Sequence, residues 1–279
     1  MATSQSLAHD LPADAASTAF GPLLRAWRLR RRHSQLSLAL HADLSARHLS
    51  FVETGRAQPS RELVLRLAER LDVPPRERDA LLLAAGYAPT SRVRTLDDAA
   101  LRAVRRAVDT LLWAFEPSPA LAVDRHWNIV ARNAAVEMLL RTVDPTLLVP
   151  PVNALRVSLH PDGLAPHIEN LPQWRAHLLE RLRRDAELTA DPVLADLLTE
   201  LRGYPAYGAS RGDEASPDHA TLPVIVPLRL RTPAGMLSFV STTTVFGTAV
   251  DATAAELAIE SFLPADSATA AALQAMAGG

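Results

Sequence analysis

The chain has 279 residues, of which 48% are hydrophobic and 22% charged, and its formal net charge is −2. This length exceeds that of one small DNA-binding module and predicts two domains, each with enough apolar residues to form a core. Because the chain contains no cysteine, disulfides, thiolate catalysis and cysteine-ligated zinc are excluded.

The charges are distributed unevenly along the chain. Residues 20–78 contain 12 Arg against six acidic residues, whereas residues 79–279 contain 17 Arg against 23 acidic residues. A basic segment followed by an acidic one favours nucleic-acid binding by the first segment.

The first 19 residues lack the basic and apolar regions of a signal peptide. No apolar run reaches the roughly 18 residues of a membrane span. We therefore expect a disordered tail at 1–19, a cytoplasmic location and no membrane partner.

The segment 34–60 predicts two short helices joined by a tight turn. Ser34 can cap a helix from about Gln35 to Ala42, and Ser45 can cap a second helix from Ala46 to about Glu53. Apolar residues at helical spacing face inward on both helices. This pattern is typical of a helix-turn-helix, whose second helix enters the major groove of DNA.

Further helices complete an all-α domain over 20–88. Gly55 lies where a helix C-terminus needs a positive φ, and Gly86 ends the last helix of the domain. The additional helices are predicted at about 21–32, 61–71 and 76–85.

The remaining chain predicts a linker with a connecting helix over 89–115, and then an α+β domain over 116–279. A small antiparallel sheet with helices inserted between its second and third strands is expected. The strands are predicted at 120–124, 127–131, 224–231, 236–246 and 255–263, the clearest helices at 98–115, 133–141, 173–186, 192–202 and 266–276, and a mobile loop at 203–220.

Residues 21–88 resemble the lambda-repressor-like helix-turn-helix regulators, often called the XRE family. One departure is Asp43, which stands in the turn where the family usually has Gly. Asp tolerates a left-handed backbone better than most residues, so the fold should be kept. The matching motifs are Ser34-Gln35, Ser45, Leu49-Ser50, Glu53-Thr54-Gly55-Arg56 and Pro59-Ser60.

This resemblance implies which residues contact DNA. Arg47 is expected to pair with guanine in a bidentate contact, which contributes about 1–3 kcal/mol of discrimination. His48 is interpreted as a surface residue or phosphate contact, not as a metal ligand, and Phe51 as either a base contact or a core residue. Phosphate contacts are implied for Gln35, Ser45 and Arg56, and positions facing base edges for Ala46, Arg47, Ser50 and Phe51.

The same resemblance implies a structural ion pair between Arg28 and Glu53 that orients the first and third helices. It also implies a homodimer on a pseudo-palindromic operator, with half-site centres about 34 Å apart. The helix at 98–115 and the C-terminal domain are both candidates for the dimer interface.

The second part of the chain is similar to the sensor region of MmyB-like transcription regulators. The similarity implies a PAS-like sensor domain that holds a small apolar, fatty-acid-like ligand and no other cofactor. The matching motifs are Ser118-Pro119-Ala120, Val123-Asp124-Arg125, Trp127, Asn133-Ala134-Ala135, residues 159–163 and 168–170, Trp174, Leu178-Leu179, Tyr204-Pro205, the hairpin 227–241 and residues 262–266.

A sheet crossed by helices can enclose an apolar concavity for such a ligand. We expect six large apolar side chains near it, although each could instead belong to an ordinary core. They are Trp127, Leu139, Trp174, Leu178, Phe239 and Phe246. For an anionic head group the candidate partners are Arg156, His160 and Arg229, against their interpretation as solvated surface residues.

No catalytic or metal-binding motif occurs in residues 98–279. We therefore predict a ligand-responsive transcription factor and not an enzyme. One alternative is a regulator whose C-terminal domain serves only dimerisation or protein binding. A second alternative is an enzyme fused to a DNA-binding domain, for which no set of catalytic residues can be named.

Overall fold

The computed structural model describes residues 19–90, 102–205, 225–246, 254 and 256–278. The chain divides into two compact units, Met1–Arg92 and Val93–Gly279. Residues 1–18 and most of 203–220 lie outside the described residues, so the disordered tail and the mobile loop stay predictions.

The described part of the first unit is all-helical, as predicted. Serine side chains begin three of its helices: the Oγ atoms of Ser34, Ser45 and Ser60 each accept a hydrogen bond from the backbone amide three residues on, at 3.0, 3.1 and 3.2 Å. Such caps satisfy amides that have no partner within the helix. The helices are α1 (Phe20–Arg30), α2 (Gln35–His41), α3 (Ala46–Glu53), α4 (Arg61–Arg70) and α5 (Pro75–Ala84).

The turn between α2 and α3 has the left-handed backbone expected at Asp43, with φ of 53°. Gly55, just after α3, has φ of 72°, as its position after the helix predicts. The turn brings α2 and α3 together over a shared core that includes the fully buried Leu38 and Leu49. The helix-turn-helix is therefore held by caps, turn and core together.

The second unit contains a five-stranded antiparallel sheet of order β2-β1-β5-β4-β3, with helices inserted between β2 and β3 as predicted. Single 3-10 turns occur at Pro145–Leu148 and Ala165–His167. The strands are β1 (Ala120–Val123), β2 (Ile129–Arg132), β3 (Leu228–Thr232), β4 (Gly235–Val245) and β5 (Ala258–Pro264), and the helices are α6 (Arg102–Ala114), α7 (Ala134–Leu140), α8 (Ala154–Leu159), α9 (Leu171–Thr189), α10 (Pro192–Arg202) and α11 (Ser267–Ala277).

Both faces of the sheet are covered in the second unit. Leu121 and Val123 of β1 face the main apolar core, whereas Ala120 and Ala122 face a smaller cluster with Val108 of α6. The prediction gave the helix at 98–115 as a connecting helix and as one candidate for the dimer interface, without a place on the sheet. In the structure α6 packs on the sheet, because its apolar stripe needs a surface to cover.

Trp127 was predicted to begin the second strand, but β2 begins at Ile129. Trp127 instead lies in the β1–β2 turn with φ of 66°, a rare conformation for a bulky residue. The carboxylate of Asp124 holds this turn by accepting hydrogen bonds from the amides of His126 and Asn128, at 2.8 and 2.9 Å. The turn directs the indole of Trp127 into the core.

None of the helices in the described ranges is long and apolar enough to cross a membrane.

Candidate DNA interface and ligand pocket

The outer face of α3 carries the residues expected to read DNA. Leu49 and Val52 on the inner face are buried, whereas Arg47 is exposed. The guanidinium carbon of Arg47 lies 5.3 Å from the centre of the Phe51 ring, a cation–π distance. This contact couples two of the side chains that were assigned to base edges.

The other candidate DNA contacts differ in how freely they can reach a partner. Arg56, just beyond α3, is exposed, whereas His48, Ser50 and Phe51 are half-buried. Phe51 is absent from the apolar cluster that forms the core of the first unit, whereas Ala46 packs against this cluster. Of these two apolar residues assigned to base edges, Phe51 is therefore the one that lies outside the core.

Arg28 and Glu53 form the expected ion pair between α1 and α3. Nε and NH2 of Arg28 donate to the two carboxylate oxygens at 2.6 and 3.0 Å, and NH1 donates to the carbonyl of His33 at 2.9 Å. The side chains are 7% and 2% exposed, so the pair lies inside the domain. Because the pair is buried between α1 and α3, its role is structural.

Gln35 was expected to contact a phosphate, but its side chain donates to Glu53 Oε2 at 2.7 Å. A carboxylate buried beside Arg28 attracts this nearby donor, because a buried charge requires hydrogen bonds. The side chain of Gln35 thus belongs to the ion-pair network between the helices. From the sequence, the Arg28–Glu53 pair was assigned a structural role and Gln35 a separate role in DNA binding.

The second unit contains an apolar cavity of about 90 Å³ between the sheet and helices α7, α8 and α9. Five of the six apolar residues that the sequence suggested line this cavity. They are Trp127, Leu139, Trp174, Leu178 and Phe239.

Aromatic rings form one wall of the cavity. The ring of Phe262 lies 6.5 Å from that of Trp174 and 6.4 Å from that of Phe239, within the range of favourable aromatic contacts. Nε1 of Trp174 donates to Ser158 Oγ at 3.0 Å, which fixes the orientation of the indole. Phe262 was missed as a site residue, although strand alternation places it on the same face as Ala258.

Phe246 does not line the cavity, contrary to the prediction. It packs against the cluster that includes Val108 and Leu112 of α6, together with Ile259 of β5. The sequence alone did not show that the chain at the end of β4 reaches this second cluster.

The three cations expected near an anionic head group also lie outside the cavity lining. Arg156 makes a bidentate pair with Glu200 at 2.8 and 2.7 Å, and this pair raises the pKa of Arg156. The ring of His160 packs edge-on against Tyr204 at 5.0 Å, and Arg229 is exposed. Arg156 and His160 thus contact Glu200 and Tyr204, which lie outside the cavity lining. The sequence pattern alone did not show these contacts.

A different ion pair lies in the cavity wall. NH1 and NH2 of Arg181 donate to the carboxylate of Glu260 at 3.0 and 2.7 Å, joining α9 to β5. The guanidinium carbon of Arg181 also lies 4.5 Å from the centre of the Trp127 ring. Oγ1 of Thr243 donates to Glu260 Oε2 at 3.2 Å.

Two sequence signals point to this wall. Arg181 falls on the apolar face of α9, seven residues after Trp174, and Glu260 alternates with Ala258 and Phe262 on the inner face of β5. A charged residue on an otherwise apolar face requires a partner. Searching for opposite charges on inward faces would have found the pair.

Two neighbouring titratable groups are shifted toward their neutral forms. Burial lowers the pKa of His177, and the charges of Arg181 and Arg184 lower it further. Burial raises the pKa of Asp185, although Arg181 opposes this effect. Since His177 stacks on Trp174 with ring centres 5.6 Å apart, its uncharged imidazole forms part of the cavity wall.

In the described parts of the chain, no group of three His, Asp or Glu side chains could hold a metal ion.

Similarity to known proteins agrees with this division of the chain. Residues 19–81 match the sequence profile of a helix-turn-helix domain, and residues 104–276 match that of the MmyB-like transcription regulator ligand binding domain. No curated protein matches the chain significantly.

Two solved structures also show similarity. The restriction-modification controller protein C.AhdI from Aeromonas hydrophila is 37% identical over 21% of this chain and 89% of its own, with a TM-score of 0.20. An RNA-binding light-oxygen-voltage receptor is 13% identical over 93% of this chain and 63% of its own, with a TM-score of 0.26. Both TM-scores are low, so the assignment depends on the two profiles. The profile of the ligand-binding domain spans more than half of the residues, and the chain therefore belongs to the family of MmyB-like transcription regulators.

Proposed function

We propose that this transcription regulator binds a pseudo-palindromic operator as a homodimer and that a small apolar ligand in the second unit changes its affinity for DNA. The observation that carries the ligand part is the apolar cavity with its aromatic wall and few polar groups. Small-molecule sites in proteins have this composition.

The first unit supports specific DNA binding. Exposed Arg47 on α3 is the proposed base contact, and exposed Arg56 beyond α3 is the proposed phosphate contact. Ser45, at the N-terminus of α3, presents the amide end of a helix, which favours a phosphate. One such helix covers one half-site, and two copies would cover a palindrome.

Ligand and DNA would be coupled by two states of the dimer that differ in their affinity for each. A coupling of about 1–3 kcal/mol would change operator affinity about 5–150-fold. The sign of the regulation follows from which state the ligand prefers.

Mass spectrometry of an organic extract of the purified chain is the first test of the ligand. We expect a stoichiometric apolar molecule with a hydrocarbon chain like that of a fatty acid, the class that the family suggests. Ala154 lines the cavity, and Ala154→Leu should abolish retention of the molecule because the added atoms fill the space. Ala195→Leu, at an exposed position of α10, is the matched control.

An empty extract, together with no thermal shift from apolar compounds, would contradict the ligand part of the proposal. It would favour the alternative that the second unit only dimerises or binds another protein. Sedimentation and electrophoretic mobility shift with one or two half-sites then test the dimer. A chain that binds a single half-site as tightly as a palindrome would contradict it.

A further inference from the structure

We infer that the cavity of the second unit takes an uncharged amphiphile, such as an alcohol, ester or amide, and excludes a free carboxylate. This inference rests on the proposed ligand site and names the chemical class that it accepts. It follows from how the charges in the cavity wall are already paired.

Arg181 is the one cation among the described residues that line the cavity, and its guanidinium is already paired with Glu260. Two of its N–H groups point at the two oxygens of Glu260, and its guanidinium lies against the face of Trp127. The Glu260 side chain is only 6% exposed, and that of Arg181 is 25% exposed. A carboxylate ligand would have to share Arg181 with a buried carboxylate that already holds it.

The neighbouring charges do not compensate a second anion. Arg184 is exposed and lies 3.8 Å from Glu180, while Asp185 lies close enough to Arg181 to interact with its charge. With Glu260, these groups are two cations and three carboxylates, so this side of the cavity has no cation in excess. Adding an anion would leave one carboxylate without a cation in a poorly solvated wall, which is strongly unfavourable.

The cavity nevertheless offers polar atoms to a neutral head group. The hydroxyl of Ser241 and the imidazole of His177 line it, and neither side chain hydrogen-bonds another described residue. A neutral imidazole provides one donor and one acceptor, and a hydroxyl provides both. A hydroxyl, ester or amide could therefore be bound without a charge on either side.

Calorimetric titration of the full chain with decan-1-ol and with decanoate at neutral pH, below their aggregation concentrations, tests the inference. We expect decan-1-ol to bind at least about tenfold more tightly. Because an alcohol also leaves water more readily than a carboxylate, the decisive comparison is the change of this ratio in a variant. Glu260→Gln leaves Arg181 with an uncompensated charge and should shift the ratio about tenfold toward decanoate.

Glu200→Gln is the matched control, because Glu200 makes a similar bidentate pair with Arg156 outside the cavity and its loss should leave the ratio unchanged. Tighter binding of decanoate by the wild-type chain, or an unchanged ratio in Glu260→Gln, would overturn the inference and leave the ligand site standing. If neither probe binds, the ligand site and the inference both fall. If Glu260→Gln does not fold, methyl decanoate replaces the variant: it should bind like decan-1-ol, and binding no tighter than that of decanoate would overturn the inference.

Discussion

Arg28 and Glu53 are 25 residues apart in the chain, yet Nε of Arg28 lies 2.6 Å from Glu53 Oε1 inside the first unit. The pair joins the beginning of the domain to the end of the recognition helix α3. Gln35 of α2 donates to the same carboxylate, so three helices meet at one charged group. The orientation of α3 thus depends on a buried electrostatic network as well as on apolar packing.

Breaking this network should destabilise the first unit before it changes DNA specificity. Arg28→Ala leaves Glu53 buried without its cation, and we expect a loss of about 3–5 kcal/mol in the free energy of unfolding. Urea denaturation of the full chain measures it, and Glu69→Gln at an exposed site of α4 is the control. A stable Arg28→Ala variant with altered base preference would contradict the structural role.

Arg47 and Arg56 should contribute differently to DNA binding. Arg47→Ala should cost about 1–3 kcal/mol on the preferred operator and relax the base choice at one position. Arg56→Ala should weaken binding to all sequences alike and lower the salt dependence by about one counterion. Binding to operator variants over a range of salt concentrations separates these effects. Equal loss on every sequence for Arg47→Ala would mean that Arg47 contacts only phosphate.

Gly21 permits the close approach of α1 to α3. A Cβ atom at this position would lie 2.3 Å from the carbonyl oxygen of Glu53 and 2.9 Å from that of Val52. Gly21→Ala should therefore push the helices apart and cost about 3 kcal/mol or more of stability.

Gly55→Ala provides the matched comparison for this variant. Nothing lies within 4 Å of a Cβ at Gly55, but its φ of 72° is unfavourable for alanine. We expect a loss of about 1–2 kcal/mol from backbone strain alone. Urea denaturation of both variants tests this difference. Equal losses in the free energy of unfolding would show that the α1–α3 contact can relax.

The helix-turn-helix was predictable from sequence because its signals are local. The Ser34 and Ser45 caps, the left-handed turn at Asp43 and the apolar spacing each act within a few residues, and they agree with one another. The Arg28–Glu53 pair is not local, and it came from the family resemblance. The bond from Gln35 to Glu53 was missed because it depends on how three helices meet.

The cavity was predictable in its apolar part and not in its polar part. Trp174 and Leu178 share one face of α9, so their joint burial follows from helical periodicity. Arg181 and Glu260 are 79 residues apart, and only the pairing of β5 with its neighbours brings them together. Arg156 was assigned to the cavity because the sequence did not show that Glu200 already holds it.

The stability of the second unit should fall when the solution is acidified below neutral pH, because of His177. Burial lowers the pKa of this side chain in the folded chain, so the unfolded chain takes up a proton first as the pH falls. The contribution is fully present above the ordinary histidine pKa of about 6.5, and it is lost as the pH falls through the interval down to the lowered value. Hydrogen exchange of amides in α9 reports the free energy of opening for this unit.

His177→Gln should flatten the pH dependence of this free energy, whereas His41→Gln, at an exposed site of the first unit, should leave it in place. An α9 profile that is the same in His177→Gln and in the wild-type chain would show that another group controls the acid sensitivity.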